Sequence, residues 1–126
     1  MDATHRKPTD AELGILSVLW SRGPSTVRQV AEALGREAGY TTVLKLLQIM
    51  TEKHLVVRDE AARTHVYQAA YTEDQTQRQL VSDLLDRAFG GSAAKLVLQA
   101  LAANKTSPEE LAEIRRLLDK QRGGAR

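Results

Sequence analysis

Tyr40-Thr41-Thr42-Val43-Leu44-Lys45-Leu46-Leu47-Gln48-Ile49-Met50-Thr51-Glu52 is followed closely by Leu55-Val56-Val57-Arg58-Asp59 and Thr64-His65-Val66-Tyr67-Gln68. The first run repeats at helical spacing. At about 100° per residue, Val43, Leu46, Leu47 and Met50 share one narrow arc. Thr41, Lys45, Gln48 and Glu52 fall on the opposite arc. The next two runs change period and are rich in β-branched residues, so they read as strands over 55–59 and 64–68. Glu60-Ala61-Ala62-Arg63 is short and polar enough to close them into a hairpin. The sequence therefore places a two-sided helix directly before a β-ribbon.

Working outward, two more helices precede this pair. Residues 10–21 carry Ile15, Leu16, Leu19 and Trp20 on one face, and Gly23-Pro24 ends the run. Ser25 or Thr26 can cap a second helix, whose Val27, Val30, Ala31 and Leu34 follow the i, i+3, i+4, i+7 pattern up to Gly35. Three short helices and then a hairpin is the order of a winged helix-turn-helix. In that fold the third helix enters the DNA major groove and the hairpin lies along the backbone. The polar arc of the third helix suits that use. Lys donates to guanine, Gln pairs with adenine, and Thr does either or meets a thymine methyl. Thr41, Thr42, Lys45 and Gln48 are the expected base readers, and Leu44 lies on the flank. Arg58 and Arg63 flank the hairpin turn, where phosphate contacts are expected. Glu52 needs a neutralising partner such as Lys53. An ordinary amphipathic helix also has a polar outer face, and a mixed-charge turn is also an ordinary solvated loop.

Downstream of Glu73 every segment reads as helix. Leu80, Val81, Leu84, Leu85, Ala88 and Phe89 form one stripe, broken by Gly90-Gly91. Ser92 caps the next helix, with Ala93, Leu96, Val97, Ala100 and Leu101. Ser107-Pro108-Glu109-Glu110 is a helix start: a capping Ser, Pro at the first helical position, and Glu three residues on. Leu111, Ile114, Leu117 and Leu118 follow. Three amphipathic helices in so short a segment rarely close a core alone. The stripe of Leu80, Leu84, Leu85, Leu96, Leu101, Ile114, Leu117 and Leu118 needs a partner surface, and a symmetric dimer supplies one economically. The expected fold class is thus mainly α with a small β-hairpin. Residues 8–70 make a winged helix-turn-helix domain, 73–120 a helical dimerisation domain, and 121–126 a disordered tail.

Composition excludes much else. The chain has 126 residues and no cysteine, so it holds no disulfide, thiol nucleophile or Cys-based zinc site. Only five side chains are aromatic, Trp20, Tyr40, Tyr67, Tyr71 and Phe89, so an aliphatic core is expected. Trp20 is expected in it, closing the first helix over the second. The histidines His5, His54 and His65 show no metal-ligand spacing, and Ser17, Ser82 and Ser107 lack triad partners. No catalytic residue, metal or cofactor is expected. The apolar runs are too short for a membrane span, and the N-terminus lacks a signal region, so a cytoplasmic protein is expected. Net charge is +2, and residues 1–70 and 71–126 each hold nine basic and eight acidic side chains. Bulk charge therefore does not announce nucleic acid; placement must.

The residues carry a resemblance. Pro8-Thr9-Asp10-Ala11-Glu12-Leu13, Leu19-Trp20, Thr26-Val27-Arg28-Gln29-Val30 and Tyr40-Thr41-Thr42-Val43 resemble the penicillinase repressor (BlaI/MecI-type) family. Leu46-Leu47, Met50, Lys53, Leu55-Val56, Val66-Tyr67 and Leu84 through Ser92 extend the match, which runs from about residue 8 to 120. The resemblance implies a homodimeric winged-helix repressor on a palindromic operator. It also implies a membrane zinc-metalloprotease receptor as signalling partner and induction by cleavage. Carried over by position, Thr41, Thr42, Lys45 and Gln48 fall on the reading helix and Arg58 and Arg63 on the wing. Leu44 and Ile49 stand where the family commonly has basic residues. His54 stands where a glycine is usual, and Gln99-Ala100 aligns with the family's Asn-Phe cleavage pair. A left-handed backbone at His54 would be strained but tolerable. Two other readings stay open: a winged-helix protein–protein adaptor using the C-terminal helices, and a one-component regulator that binds a small effector directly.

Overall fold

The computed structural model describes residues 7–35 and 39–124. It contains α1 (Asp10–Arg22), α2 (Val27–Leu34), α3 (Tyr40–Glu52), β1 (Val56–Asp59), β2 (Val66–Ala69), α4 (Glu73–Ala88), α5 (Ala93–Ala103) and α6 (Pro108–Gly124). This is the mainly helical winged helix-turn-helix order with a two-stranded antiparallel sheet. Two compact units divide between Ser82 and Asp83, so α4 begins in one and ends in the other. No helix among the described residues is long and apolar enough to cross a membrane.

Threonines set three of the helix starts. Thr9 Oγ1 accepts from Glu12 N at 3.2 Å while Glu12 Oε1 accepts from Thr9 N at 2.9 Å. Thr26 with Gln29, and Thr72 with Gln75, repeat this capping box. Each box satisfies two of the N–H groups that a helix start leaves free, contributing about 1 kcal/mol. Thr26, not Ser25, is the cap of α2. Ser25 is instead buried in an isolated antiparallel bridge, exchanging backbone hydrogen bonds of 2.9 and 2.8 Å with Tyr67. The bridge gives the hairpin a third, one-residue strand. Ser92 and Ser107 cap α5 and α6 as expected, accepting from Lys95 N and Glu110 N.

The core of the first unit gathers Ile15, Leu16 and Leu19 of α1, Val27 and Val30 of α2, and Val43, Leu47 and Met50 of α3. Leu55, Val56 and Tyr67 of the hairpin segment close it. Tyr67 departs from the aliphatic expectation: it is 1% exposed and the largest of the fully buried side chains. Trp20 is only partly buried. It packs against this core and donates from Nε1 to the Tyr71 carbonyl at 2.9 Å, tying α1 to the segment that leads into α4.

Three local readings are corrected. The strands pair with Val56 opposite Ala69 and Asp59 opposite Val66. The second strand is therefore 66–69, and Thr64 and His65 join the connector, because β1 ends at Asp59 and its partner is Val66. Residues 121–124 are not a disordered tail: α6 continues through Gly124, carried by Lys120, Gln121 and Arg122, which are good helix formers. Residues 125 and 126 lie outside the described residues. Lys53 does not neutralise Glu52; its Nζ lies 2.6 Å from Glu12 Oε1.

Candidate nucleic-acid interface

α3 ends in a defined C-terminal capping turn. Lys53 is the C-cap of α3, His54 N donates to Thr51 O, and Leu55 N donates to Met50 O. These two bonds are a Schellman motif, which puts His54 in the left-handed region, φ 65°. The glycine-type position expected from the sequence is therefore real, with a histidine in it. Leu55 and Met50 are both buried, the apolar contact that accompanies this motif. At the same end, Glu12 Oε1 receives Lys53 Nζ while also closing the α1 capping box.

Across α3, Val43, Leu47 and Met50 are fully buried, while Thr41, Thr42, Lys45 and Gln48 are all exposed. The four expected base readers thus share the solvent face of one helix of about 20 Å, a length and diameter that fit a major groove about 12 Å wide. Leu46, placed on the apolar arc, is only partly buried. Ile49 stands 38% exposed among the polar side chains.

The wing residues separate. Arg63 is exposed in the connector between the strands. Arg58 is on β1, opposite Tyr67 in the register, with Nη2 2.5 Å from Glu60 Oε2. Hydrogen bonding to Tyr67, and then to Glu60, holds its guanidinium above its already high ordinary pKa. Arg58 is therefore engaged by the hairpin itself. Ala61 N donates to Asp59 Oδ1 at 2.9 Å, a turn that orders the connector.

Two residues to which the sequence assigned no role meet at the start of α3. Arg28, in the first turn of α2, holds its guanidinium carbon 5.8 Å from the centroid of the Tyr40 ring, and Tyr40 is half exposed. The available signal was that Arg28 lies off the α2 apolar stripe and Tyr40 off that of α3.

In the C-terminal helices Leu80, Leu85, Leu96 and Ile114 are half-buried. Leu84, Leu101, Leu117 and Leu118 are exposed, Leu118 at 60%. Gln99 and Ala100 are exposed within α5. His54 and His65 are exposed in separate turns, and His5 lies outside the described residues.

Comparison with known proteins agrees with this geometry. The penicillinase repressor family model matches residues 8–120. Transcriptional regulator BlaI of Mycobacterium tuberculosis is 33% identical over 118 residues, covering 91% of this chain and 85% of that protein. The penicillinase repressor of Bacillus licheniformis is 22% identical over 116 residues, covering 90% and 91%. Among solved structures, transcriptional regulator Tm0710 from Thermotoga maritima superposes with a TM-score of 0.52 at 16% identity, over 91% of this chain and 74% of that one. The YusO protein from Bacillus subtilis gives 0.51 at 19%, with the same coverage. These two likenesses concern the fold alone. With the family match spanning both units, the capped helices, Tyr40-Thr41-Thr42-Val43 and the hairpin have one common explanation: the chain belongs to the penicillinase repressor family, which consists of transcriptional repressors and not enzymes.

Proposed function

We propose that the protein represses transcription as a homodimer bound to a palindromic DNA operator, with α3 in the major groove and the wing along the backbone. The observation that carries this is the division of α3, whose Val43, Leu47 and Met50 are fully buried while Thr41, Thr42, Lys45 and Gln48 are all exposed. Lys45 and Gln48 have the donors and acceptors that base edges need, and Thr41 and Thr42 add hydroxyls and methyls. Arg63 supplies a phosphate contact from the connector. Arg58, paired with Glu60 and opposite Tyr67, supports the wing from within. The exposed leucines of α4–α6 supply the dimer contact, and a two-fold axis would present two α3 helices to half-sites about one helical turn apart. The family resemblance also implies a membrane metalloprotease receptor. Gln99-Ala100 lies inside a helix, so cleavage there requires α5 to open locally.

The test is fluorescence anisotropy with the chain's own upstream DNA and a scrambled duplex, at two salt concentrations. Tight, sequence-dependent binding with a steep salt slope is expected. Lys45→Ala is expected to lower affinity for the upstream DNA more than for the scrambled duplex, by about 1–3 kcal/mol of lost discrimination. Equal losses on both would make Lys45 a phosphate contact. Weak, equal binding of the native protein to both duplexes would favour the adaptor reading, for which residues 73–120 would be the bait.

A further inference from the structure

We propose that Arg28 and Tyr40 form a backbone clamp: the Tyr40 ring holds the Arg28 guanidinium beside the first turn of α3, where it contacts one DNA phosphate per protomer. This inference rests on the DNA-binding reading above and adds to it a contact from α2, outside both the reading face and the wing. Three observations carry it. The guanidinium carbon lies 5.8 Å from the ring centroid, within the range of a cation–π contact. Tyr40 is 50% exposed, although this chain has few aromatic side chains and buries Tyr67 almost completely. Arg28 is itself exposed, and the ring is the one partner the structure gives it among the described residues.

The chemistry favours phosphate over a base edge or an acidic protein. A guanidinium held over an aromatic face can keep its N–H fork free at the edge, so one side meets the ring while the other donates. That fork matches two oxygens of a phosphate. In helix-turn-helix proteins the helix before the reading helix crosses the DNA backbone, which is where α2 places Arg28. The cation–π contact restrains some of the rotamer freedom that a lone surface arginine loses on binding, so the contact is partly preorganised. A phosphate contact carries no sequence information, so it fixes register and strengthens binding to every duplex alike.

The experiment uses the full chain and a fluorescein-labelled duplex of mixed sequence beside the upstream DNA, with anisotropy across a salt series. Arg28→Ala is expected to weaken both duplexes by the same factor and to flatten the slope of log K against log salt by about 0.9 per protomer, the value for one lost phosphate. Arg28→Lys keeps the charge but not the stack, so it should keep the slope and lose affinity. Tyr40→Ala should lose more than Tyr40→Phe, because the ring and not the hydroxyl is the platform. Thermal unfolding of each variant accompanies the titrations. An unchanged salt slope in Arg28→Ala overturns the clamp while leaving the DNA reading intact, and marks the pair as a purely structural link between α2 and α3. Equal losses in Tyr40→Phe and Tyr40→Ala overturn the ring's part in it. A native chain with no salt-dependent binding to either duplex overturns clamp and DNA reading together.

Discussion

The Glu12 carboxylate joins two distant pieces of chain: it accepts from Thr9 N at the start of α1 and from Lys53 Nζ at the end of α3. It is 3% exposed in its side chain and Lys53 is 16% exposed, so the pair is largely desolvated. The two partners are not equivalent. Lys53 can swing its ammonium into water when Glu12 is neutralised, and a glutamine still closes the capping box. Glu12 cannot move away when Lys53 is removed. Lys53→Met is therefore expected to destabilise by about 2–3 kcal/mol, near the lower end for breaking a buried pair, and Glu12→Gln by less. Urea denaturation of both variants checks the ordering; equal costs would show that the carboxylate reaches water. His54, one residue on, gives the opposite sign. Its left-handed backbone strains an L side chain by about 1 kcal/mol or more, and its exposed imidazole has little packing to lose. His54→Gly is expected to raise stability by roughly 0.5–1 kcal/mol after the entropy cost of glycine in the unfolded chain. A lower melting temperature in that variant would mean the imidazole makes a contact worth more than the strain.

At the scale of elements, local signals and long-range ones part company. Helix starts and stops were legible because a cap and its helix are neighbours: Ser92, Ser107-Pro108 and the Gly90-Gly91 break act within a turn of themselves. The two faces of α3 were legible for the same reason, since a 3.6-residue period is written in consecutive residues. The strand limits were not, because they depend on which residues pair across the turn, Asp59 with Val66, and not on either run alone; nor was the bridge to Ser25, far upstream of the hairpin. Nor was the partner of Lys53, 41 residues away, or the pairing of Arg28 with Tyr40. The two wing arginines look alike in sequence, and only the structure reveals that one faces Tyr67 and Glu60 while the other is exposed in the connector. That difference is testable. Arg58→Ala should lower the melting temperature, because it removes the ion pair to Glu60 and the side chain that faces the buried Tyr67 across the strands. Arg63→Ala should change stability by less than about 0.5 kcal/mol, as exposed substitutions do, yet weaken duplex binding. The reverse pattern would exchange their roles.

At the scale of the whole molecule, the two units bury apolar surface very differently. The first has a continuous core shared by three helices and the hairpin. The second contributes Leu101, Leu111, Leu117 and Leu118 to solvent in the single chain, and α5 has no buried residue. Several large apolar side chains exposed on three successive helices are what an association site would use, and a second copy of the same helices would offer a self-complementary one. Two consequences follow for a dimer whose half-sites are read by separate α3 helices. Its melting temperature should rise with protein concentration, because dissociation accompanies unfolding. Its grip on a palindrome should exceed that of one protomer by about 10²- to 10⁴-fold, since the second α3 binds at the effective concentration set by the first. Leu118→Glu places a carboxylate in the stripe without touching the first unit's core. It is expected to sediment as a monomer, unfold cooperatively at a melting temperature that no longer depends on protein concentration, and fall toward half-site affinity on the palindrome while losing far less on a scrambled duplex. A variant that still sediments as a dimer would move the contact to another face of α4–α6. A native chain that sediments as a monomer at all concentrations would instead require each α3 to act alone, and the operator would then need no symmetry.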